Sequence, residues 1–410
     1  VTATTRSAAL AAALLGAFAL FAAQNPKLLP DFFIYRLGSE LALGGESPYD
    51  LARVRARVAE RFPDPDPKPE SFVNNCGYFL PPGAVVPFAP FALLPLGAAQ
   101  VAWALACAAA GFALARVPVL RFADAPPLTG PPLVARAVPF LLLLNFLTIG
   151  VVLVGQTALV TVGAIAAGAW CFRRGGCWNV LACALWAVPF VKPHVALPLV
   201  PLAWFLFGWA RAAGVVVWVV ALNLLGATLA GGSPLFVAEY LDFLRDNHRA
   251  VMFNRAELNY EMTSWNRLLF AVTEPFAGTR FLIEQTATTA VLSYAVWFVL
   301  LAARCAAARV RPSGEWALAA CAAGMVWCPQ VLGYEALALV LAVPWARELF
   351  ARGHRGWGAL VVAALALQAL SLQALEPLGI TLHRPLSAAL VALAVLCGPL
   401  CAPPSDGPVA

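Results

Sequence analysis

Three groups of residues in this sequence have types and settings that suit chemistry. The first is Asp31, in the stretch LLPDFFIYRLGSELALGGESPYD, a few residues past an apolar block and at the head of an aromatic, amphipathic run. A carboxylate there is either the cap of a helix or the working group of a site at the membrane face, where it can take up a proton. The second is Lys192, with His194, in the stretch FVKPH between two apolar blocks. A lysine so placed is costly unless it has a role, or snorkels to the interface as an anchor. His194 alone reads as an interfacial residue. The third is the stretch FLRDNHRAVMFNRAELNYEMTSWNRLLF, which supplies His248, Arg249, Arg255, Asn259, Trp265, Asn266 and Arg267. Such a mixture suits a pocket that stacks on a ring and holds an anion, and it equally suits a solvated loop.

The elements that must position these residues are overwhelmingly apolar. Of 410 residues, 61% are hydrophobic and 12% charged, with a mean hydropathy of +0.79. Soluble domains run at roughly half apolar and about a quarter charged. The excess lies in long blocks joined by short arginine-bearing connectors, which predicts an all-α integral membrane protein. Blocks at 7–23, 97–116, 137–154, 157–172, 178–191, 194–210, 213–231, 285–303, 315–328, 334–347, 357–375 and 385–402 predict about twelve transmembrane helices in a single domain over 1–410. The first block follows Arg6 as a signal peptide would, but it lacks a convincing cleavage motif and reads as a retained span.

The run LPPGAVVPFAPFALLP at 80–95 is apolar yet holds five prolines, each of which removes a backbone donor, so it reads as re-entrant or interfacial. If it does not cross, the arginines from Arg6, Arg116 and Arg136 through Arg173, Arg174, Arg211 and Arg304 to Arg347 all fall on one side, which must be cytoplasmic. Two long loops then share the outer side. One covers 24–96, including the interfacial pieces, and the other covers 232–284. Within the first, Phe33, Ile34, Leu37 and Leu41 recur at helical spacing, Asp31 follows Pro30 as a cap or first-turn residue, and Gly44 and Gly45 end the helix.

The net charge of +6 is dispersed over connectors rather than gathered in one patch, which argues against nucleic acid. The ten cysteines are scattered without a zinc spacing, and only Cys76 and Cys328 share a side on which a bridge could form. The acidic residues of the outer loops form no metal-ligand cluster, so neither a metal nor a cofactor is expected.

DFFIYRLGSELALGGESPYD followed by GYFLPPGAVVPFAPFALLP resembles the first outer loop of the GT-C glycosyltransferases. It is specifically similar to glycosyltransferase family 87, the polyprenyl-phosphate-mannose-dependent α-mannosyltransferases. GQTALVTVGAIAAGAW, NVLACALWAVPFVKPHVALPLVPLAW, NYEMTSWNRLL and CPQVLGYEALALVLAVPWA follow in that family's order. The resemblance implies a GT-C-type polytopic helical bundle in the plasma (inner) membrane, with its active site on the extracytoplasmic side. It implies an inverting transfer of a hexose, mannose in that family, from a polyprenyl-phosphate-linked donor to a lipid or polysaccharide acceptor.

The same resemblance makes Asp31 the general base. It places Lys192, His194, Arg249, Arg255 and Arg267 around the donor phosphate, and Tyr35, Gln156, Asn259, Trp265, Asn266 and Tyr334 around the sugar and acceptor. The chain also departs from its relatives. Many carry a histidine in a Ser-Pro element where this chain has CPQVLGYE, with Tyr334 and Glu335 nearby, and Leu80 stands where more distant GT-C transferases have a lysine. The alternatives are a transporter or flippase, marked by charges deep within the spans and by matching halves, and a non-catalytic relative.

Overall fold

A computed structural model describes residues 3–25, 28–63, 76–117, 120, 132–230, 235–247, 265, 268, 287–308, 312–327, 333–370 and 382–400. All regular structure among the described residues is helical. The first region holds α1 (Ala3–Gln24), α2 (Pro30–Leu43) and α3 (Leu51–Arg61), then a 3-10 turn at Pro82–Ala84 that runs into α4 (Val85–Ala92), and α5 (Leu96–Ala115). The middle region holds α6 (Pro132–Leu143), α7 (Phe146–Val154), α8 (Ala158–Arg174), α9 (Trp178–Ala187), α10 (Pro193–Ala196), α11 (Leu199–Phe207), α12 (Trp209–Leu229) and α13 (Leu235–Asn247). The last region holds α14 (Ala287–Ala308), α15 (Gly314–Trp327), a 3-10 run at Gly333–Ala342, α16 (Val343–Ala351), α17 (Arg355–Gln368) and α18 (His383–Cys397).

Among the described residues, four helices are long and apolar enough to cross a bilayer: α1, α5, α12 and α14. The pair α6–α7, bent by 45°, makes a fifth. Most of the remaining predicted blocks form helices of 17 residues or fewer, such as α8, α15, α17 and α18, below the ~20 residues that a 30 Å hydrocarbon core asks of an untilted helix. Proline explains several of the breaks. Pro189, Pro193 and Pro198 divide the stretch from Trp178 to Phe207 into short pieces, because each removes an intrahelical bond and restricts the residue before it. In the proline-rich run at 80–95, α4 rises only about 12 Å, well under half of that core.

The exposed side chains mark the lipid-facing helices. Val216, Val217, Val220 and Leu224 on α12, and Val291, Val296 and Val299 on α14, are exposed although apolar. Only 22% and 17% of the apolar windows of these two helices are covered by protein. By contrast α15 is buried on every side from Glu315 to Val326, which makes it the centre of its half of the bundle.

The helices alternate between two ends. At one end, Arg173 and Arg174 close α8, and Arg211 donates from α12 to Asn179 on α9 at 3.1 Å. Arg304, near the C-terminal end of α14, donates to Gly398 O just beyond the C-terminal end of α18 at 2.8 Å. The opposite end of α8 begins at Thr157, where the candidate site residues gather.

Local backbone features fix α2 at that opposite end. Leu29, a non-glycine residue with φ 61°, turns the chain into Pro30, and its N–H donates to Leu153 O at 2.9 Å. Pro30 occupies the first helical position, where a missing N–H does no harm. Asp31 therefore lies in the first turn and does not cap the helix. The N-cap is Leu29, and no side chain caps that end. Arg36 ties the other side of α2 to the end of α4, donating to Phe91 O at 3.1 Å and Leu94 O at 3.0 Å. Gly44 closes α2, as the sequence predicts.

Gly155, at φ 78°, ends α7, and a Cβ there would lie 2.7 Å from Phe32 Cβ on α2. Both the left-handed conformation and the contact require glycine. Gly155→Ala is expected to lower the stability of the purified protein by at least about 1 kcal/mol, read from its unfolding midpoint in detergent. A midpoint equal to the parent's contradicts this packing.

Candidate active site

Gly155 delivers Gln156 to the face of α2. The left-handed turn lets the Gln156 N–H donate back to Val151 O at 3.0 Å, which satisfies a carbonyl at the end of α7. The Gln156 side chain, 6% exposed, then becomes a hub. Its Oε1 accepts from Tyr35 Oη at 3.0 Å and from Lys192 Nζ at 2.7 Å, while its Nε2 donates to Asp31 Oδ2. The two donors on Oε1 settle the orientation of the amide. Turned over, its NH₂ would face an ammonium and a hydroxyl proton, and its oxygen would face a carboxylate.

Lys192 stands at the break between the 3-10 turn Val188–Val191 and α10, in non-helical geometry ahead of Pro193. The residue before a proline is disfavoured in a helix, so the sequence itself opens the chain here. The Lys192 ammonium pairs with Glu335 Oε1, and the two side chains are 13% and 5% exposed. Glu335 belongs to the 3-10 run Gly333–Ala342, which is buried along most of its length. With Asp31 and Glu335 ionised and Lys192 protonated, the cluster carries one net negative charge, and Glu335 neutralises the lysine. Tyr35 is held well above the usual phenol range, first by burial and then by the fields of Asp31, Glu335 and Tyr334. Its hydroxyl therefore keeps its proton and remains a donor to Gln156.

Of the residues singled out in the sequence, Asp31, Tyr35, Gln156 and Lys192 come together in this network, and Tyr334 lies beside it, half-buried. His194 is two residues further on, and its backbone carbonyl accepts from Tyr294 Oη on α14. Trp265 donates from Nε1 to Ser293 Oγ, the neighbour of Tyr294, at 3.0 Å, and so docks on α14 rather than in the hub. Arg249, Arg255, Asn259, Asn266, Arg267 and His248 lie outside the described residues. Cys76 is buried, with its thiol pushed up to about 11 chiefly by desolvation, and its proposed partner Cys328 also lies outside the described residues. No group of three or more His, Cys, Asp and Glu side chains among the described residues could hold a metal ion.

Glu335 is the residue that the sequence reading left out of the site. Its signal was an acidic side chain opening the apolar stretch GYEALALVLA, a setting as costly for a carboxylate as the surroundings of Lys192 are for an ammonium. Two such opposite charges, each without a local partner, satisfy one another across the fold.

One cavity is lined by Lys192 and another by the residue before it. An apolar groove of about 170 Å³ runs between Gly83, Val86, Pro87, Ala187, Val191 and Trp218, and so reaches the residue that precedes the lysine. A mostly apolar cavity of about 10 Å³ is lined by Thr157, Thr161, Val162, Lys192, Met325 and Glu335.

The sequence profile described as glycosyltransferase family 87 matches residues 78–332, more than half of the chain. No curated protein matches the chain. Gln156 and Lys192 fall inside the matched segment, whereas Asp31 and Glu335 flank it.

Removing one member of a buried ion pair leaves the other uncompensated, whereas removing both is close to neutral. Lys192→Met is expected to cost about 3 kcal/mol of stability, and the double variant Lys192→Met, Glu335→Gln to recover most of it. Unfolding midpoints of the two variants in detergent test this, and equal losses contradict the pairing.

Proposed function

The chain belongs to glycosyltransferase family 87 and is a membrane glycosyltransferase, and on that premise we propose that it moves a hexose, mannose by resemblance, from a polyprenyl-phosphate donor to a lipid or glycan acceptor. The bundle is of GT-C type in this reading, with about twelve crossings in the plasma membrane. The site faces the extracytoplasmic side, opposite the arginine-bearing ends, in keeping with the positive-inside rule.

Asp31 acts as the general base. Its carboxylate takes the proton of the acceptor hydroxyl as that oxygen attacks the anomeric carbon. The bond from that carbon to the phosphate oxygen breaks, polyprenyl phosphate leaves with the electron pair, and the configuration inverts. The observation that carries the reading is the hydrogen bond from Gln156 Nε2 to Asp31 Oδ2. It holds a half-buried carboxylate in a fixed direction near a half-buried cation. A bond donated to the ionised form also keeps Asp31 ready to accept a proton.

The donor side has its own support. Lys192 has three N–H donors, of which Gln156 and Glu335 take two, so one remains for an anionic phosphate. The apolar groove lined by Val191, the residue before Lys192, is suited to a prenyl chain. His194, Arg249, Arg255 and Arg267 complete the phosphate side in this proposal. Tyr35, Gln156, Asn259, Trp265, Asn266 and Tyr334 serve the sugar and acceptor.

The test is transfer from labelled polyprenyl-phosphate mannose by the purified protein in lipid, with a membrane extract supplying acceptors. Asp31→Asn is expected to lose about 10²–10⁴-fold in rate, the usual contribution of a general base, with its unfolding midpoint unchanged. Full activity in a folded Asp31→Asn removes Asp31 as the base.

A further inference from the structure

Between Asp124 and Glu239 the sequence holds no Asp or Glu. Arg173 and Arg174 nevertheless stand side by side in the last turn of α8, and Arg211 lies at the same end of the bundle near the start of α12. Among the described residues no carboxylate pairs with any of the three. A patch of one sign without local compensation draws anions to it.

Arg174 is held in a defined place. Gly175 and Gly176, at φ 70° and 58°, turn the chain tightly from α8 into α9. The turn sets Trp170, one helical turn before Arg174, against Trp178 at the head of α9, with ring centroids 6.4 Å apart. The Arg174 guanidinium lies 3.7 Å from the Trp170 ring centroid and 5.0 Å from that of Trp178. Stacking uses the flat face of a guanidinium and leaves its edge, which carries the N–H donors, open. The side chain is exposed, so that edge is within reach of a ligand. A phosphate takes such an edge through two parallel N–H bonds.

The surroundings say which anion fits. Both indoles are exposed, and tryptophan favours the boundary between membrane and water. From Trp178 an apolar lane runs along α9 through Leu181, exposed, to Leu185, half-buried, at spacings that keep the three on one face. A soluble phosphate has no use for that lane, whereas a lipid lays an acyl chain on it. A zwitterionic lipid offers the same phosphate but brings its own ammonium towards the arginines.

We propose that the α8–α9 turn is a binding site for an anionic phospholipid. Arg174, clasped by Trp170 and Trp178, takes the headgroup phosphate on its edge, Arg173 adds charge, and an acyl chain lies along Leu181 and Leu185. The site is at the opposite end of the bundle from Asp31 and Lys192, and it stands whether or not the transfer reaction runs as described.

Native mass spectrometry of the purified protein in detergent tests this, with phosphatidylglycerol or phosphatidylcholine of the same chains as the titrant. The parent is expected to hold phosphatidylglycerol about tenfold more tightly than phosphatidylcholine, and Arg173→Gln and Arg174→Gln each to lose about fivefold of the phosphatidylglycerol affinity. Arg174→Lys keeps the charge without the stack, and Trp178→Leu opens the clasp, so each is expected to lose about threefold. Arg116→Gln, which removes a positive charge at the end of α5, is expected to bind like the parent. Equal affinities of the parent for the two lipids overturn the proposal, as does an unchanged preference in a folded Arg173→Gln, Arg174→Gln double variant. An equal loss in Arg116→Gln also overturns it, because net charge alone then sets the affinity. Displacement of the lipid by excess inorganic phosphate overturns the lipid assignment in favour of a soluble anion.

Discussion

An ammonium and two carboxylates meet at one end of the helix bundle, and one amide side chain lies between them. Gln156 can satisfy its neighbours in only one orientation, because two donors converge on its oxygen. That orientation aims an N–H at Asp31. The arrangement of the site follows from this single constraint. Burial of Lys192 requires Glu335, the pair fixes the ammonium, the ammonium and Tyr35 fix the amide, and the amide fixes the carboxylate. Each step is an electrostatic requirement imposed by low dielectric rather than a matter of shape.

Beside most of the contributing residues the backbone departs from regular helix. Leu29 takes a left-handed conformation just before Asp31, Gly155 does so just before Gln156, and Lys192 leaves helical geometry before Pro193. Three helix breaks therefore supply three of the five side chains, and Glu335 comes from a 3-10 run. Irregular backbone within a membrane protein is tolerated where it is buried in protein or lines a cavity, and here it does both. The left-handed Leu29 carries some strain. Its buried side chain and its hydrogen bond to Leu153 offset that strain and hold the start of α2 against α7.

Much of this was legible in the sequence. Most apolar blocks hold helices, from α1 at 3–24 to α18 at 383–397, because a helix rises only about 1.5 Å per residue and crossing lipid demands long apolar runs. Pro30 and Gly44 bracket α2 as their backbone chemistry dictates, and the unusual setting of Lys192 announced a partner without naming it. What lay beyond the sequence was partnership over distance. Tyr35 and Gln156 are 121 positions apart, and Lys192 and Glu335 are 143 apart. No periodicity connects them, so Gln156 read as one pocket residue among several, and Glu335 as a bystander. The number of full-length crossings was equally hard to read. Apolar composition gives the lipid preference of a segment, but prolines and 3-10 geometry decide how far its helix runs.

The central claim is that Asp31 is a base held by Gln156 at the mouth of a donor site, with the polyprenyl chain beside Val191 and the phosphate at Lys192. A cryo-electron microscopy structure in lipid nanodiscs with a non-reactive phosphonate analogue of a polyprenyl-phosphate hexose tests it most directly. The account predicts the phosphonate on the remaining Lys192 N–H, the prenyl chain in the groove past Trp218, and the anomeric carbon facing Asp31 across room for one hydroxyl, with Gln156 still bound to the carboxylate. An analogue seated away from this end of the bundle, or an Asp31 side chain turned into bulk solvent with the analogue bound, contradicts it.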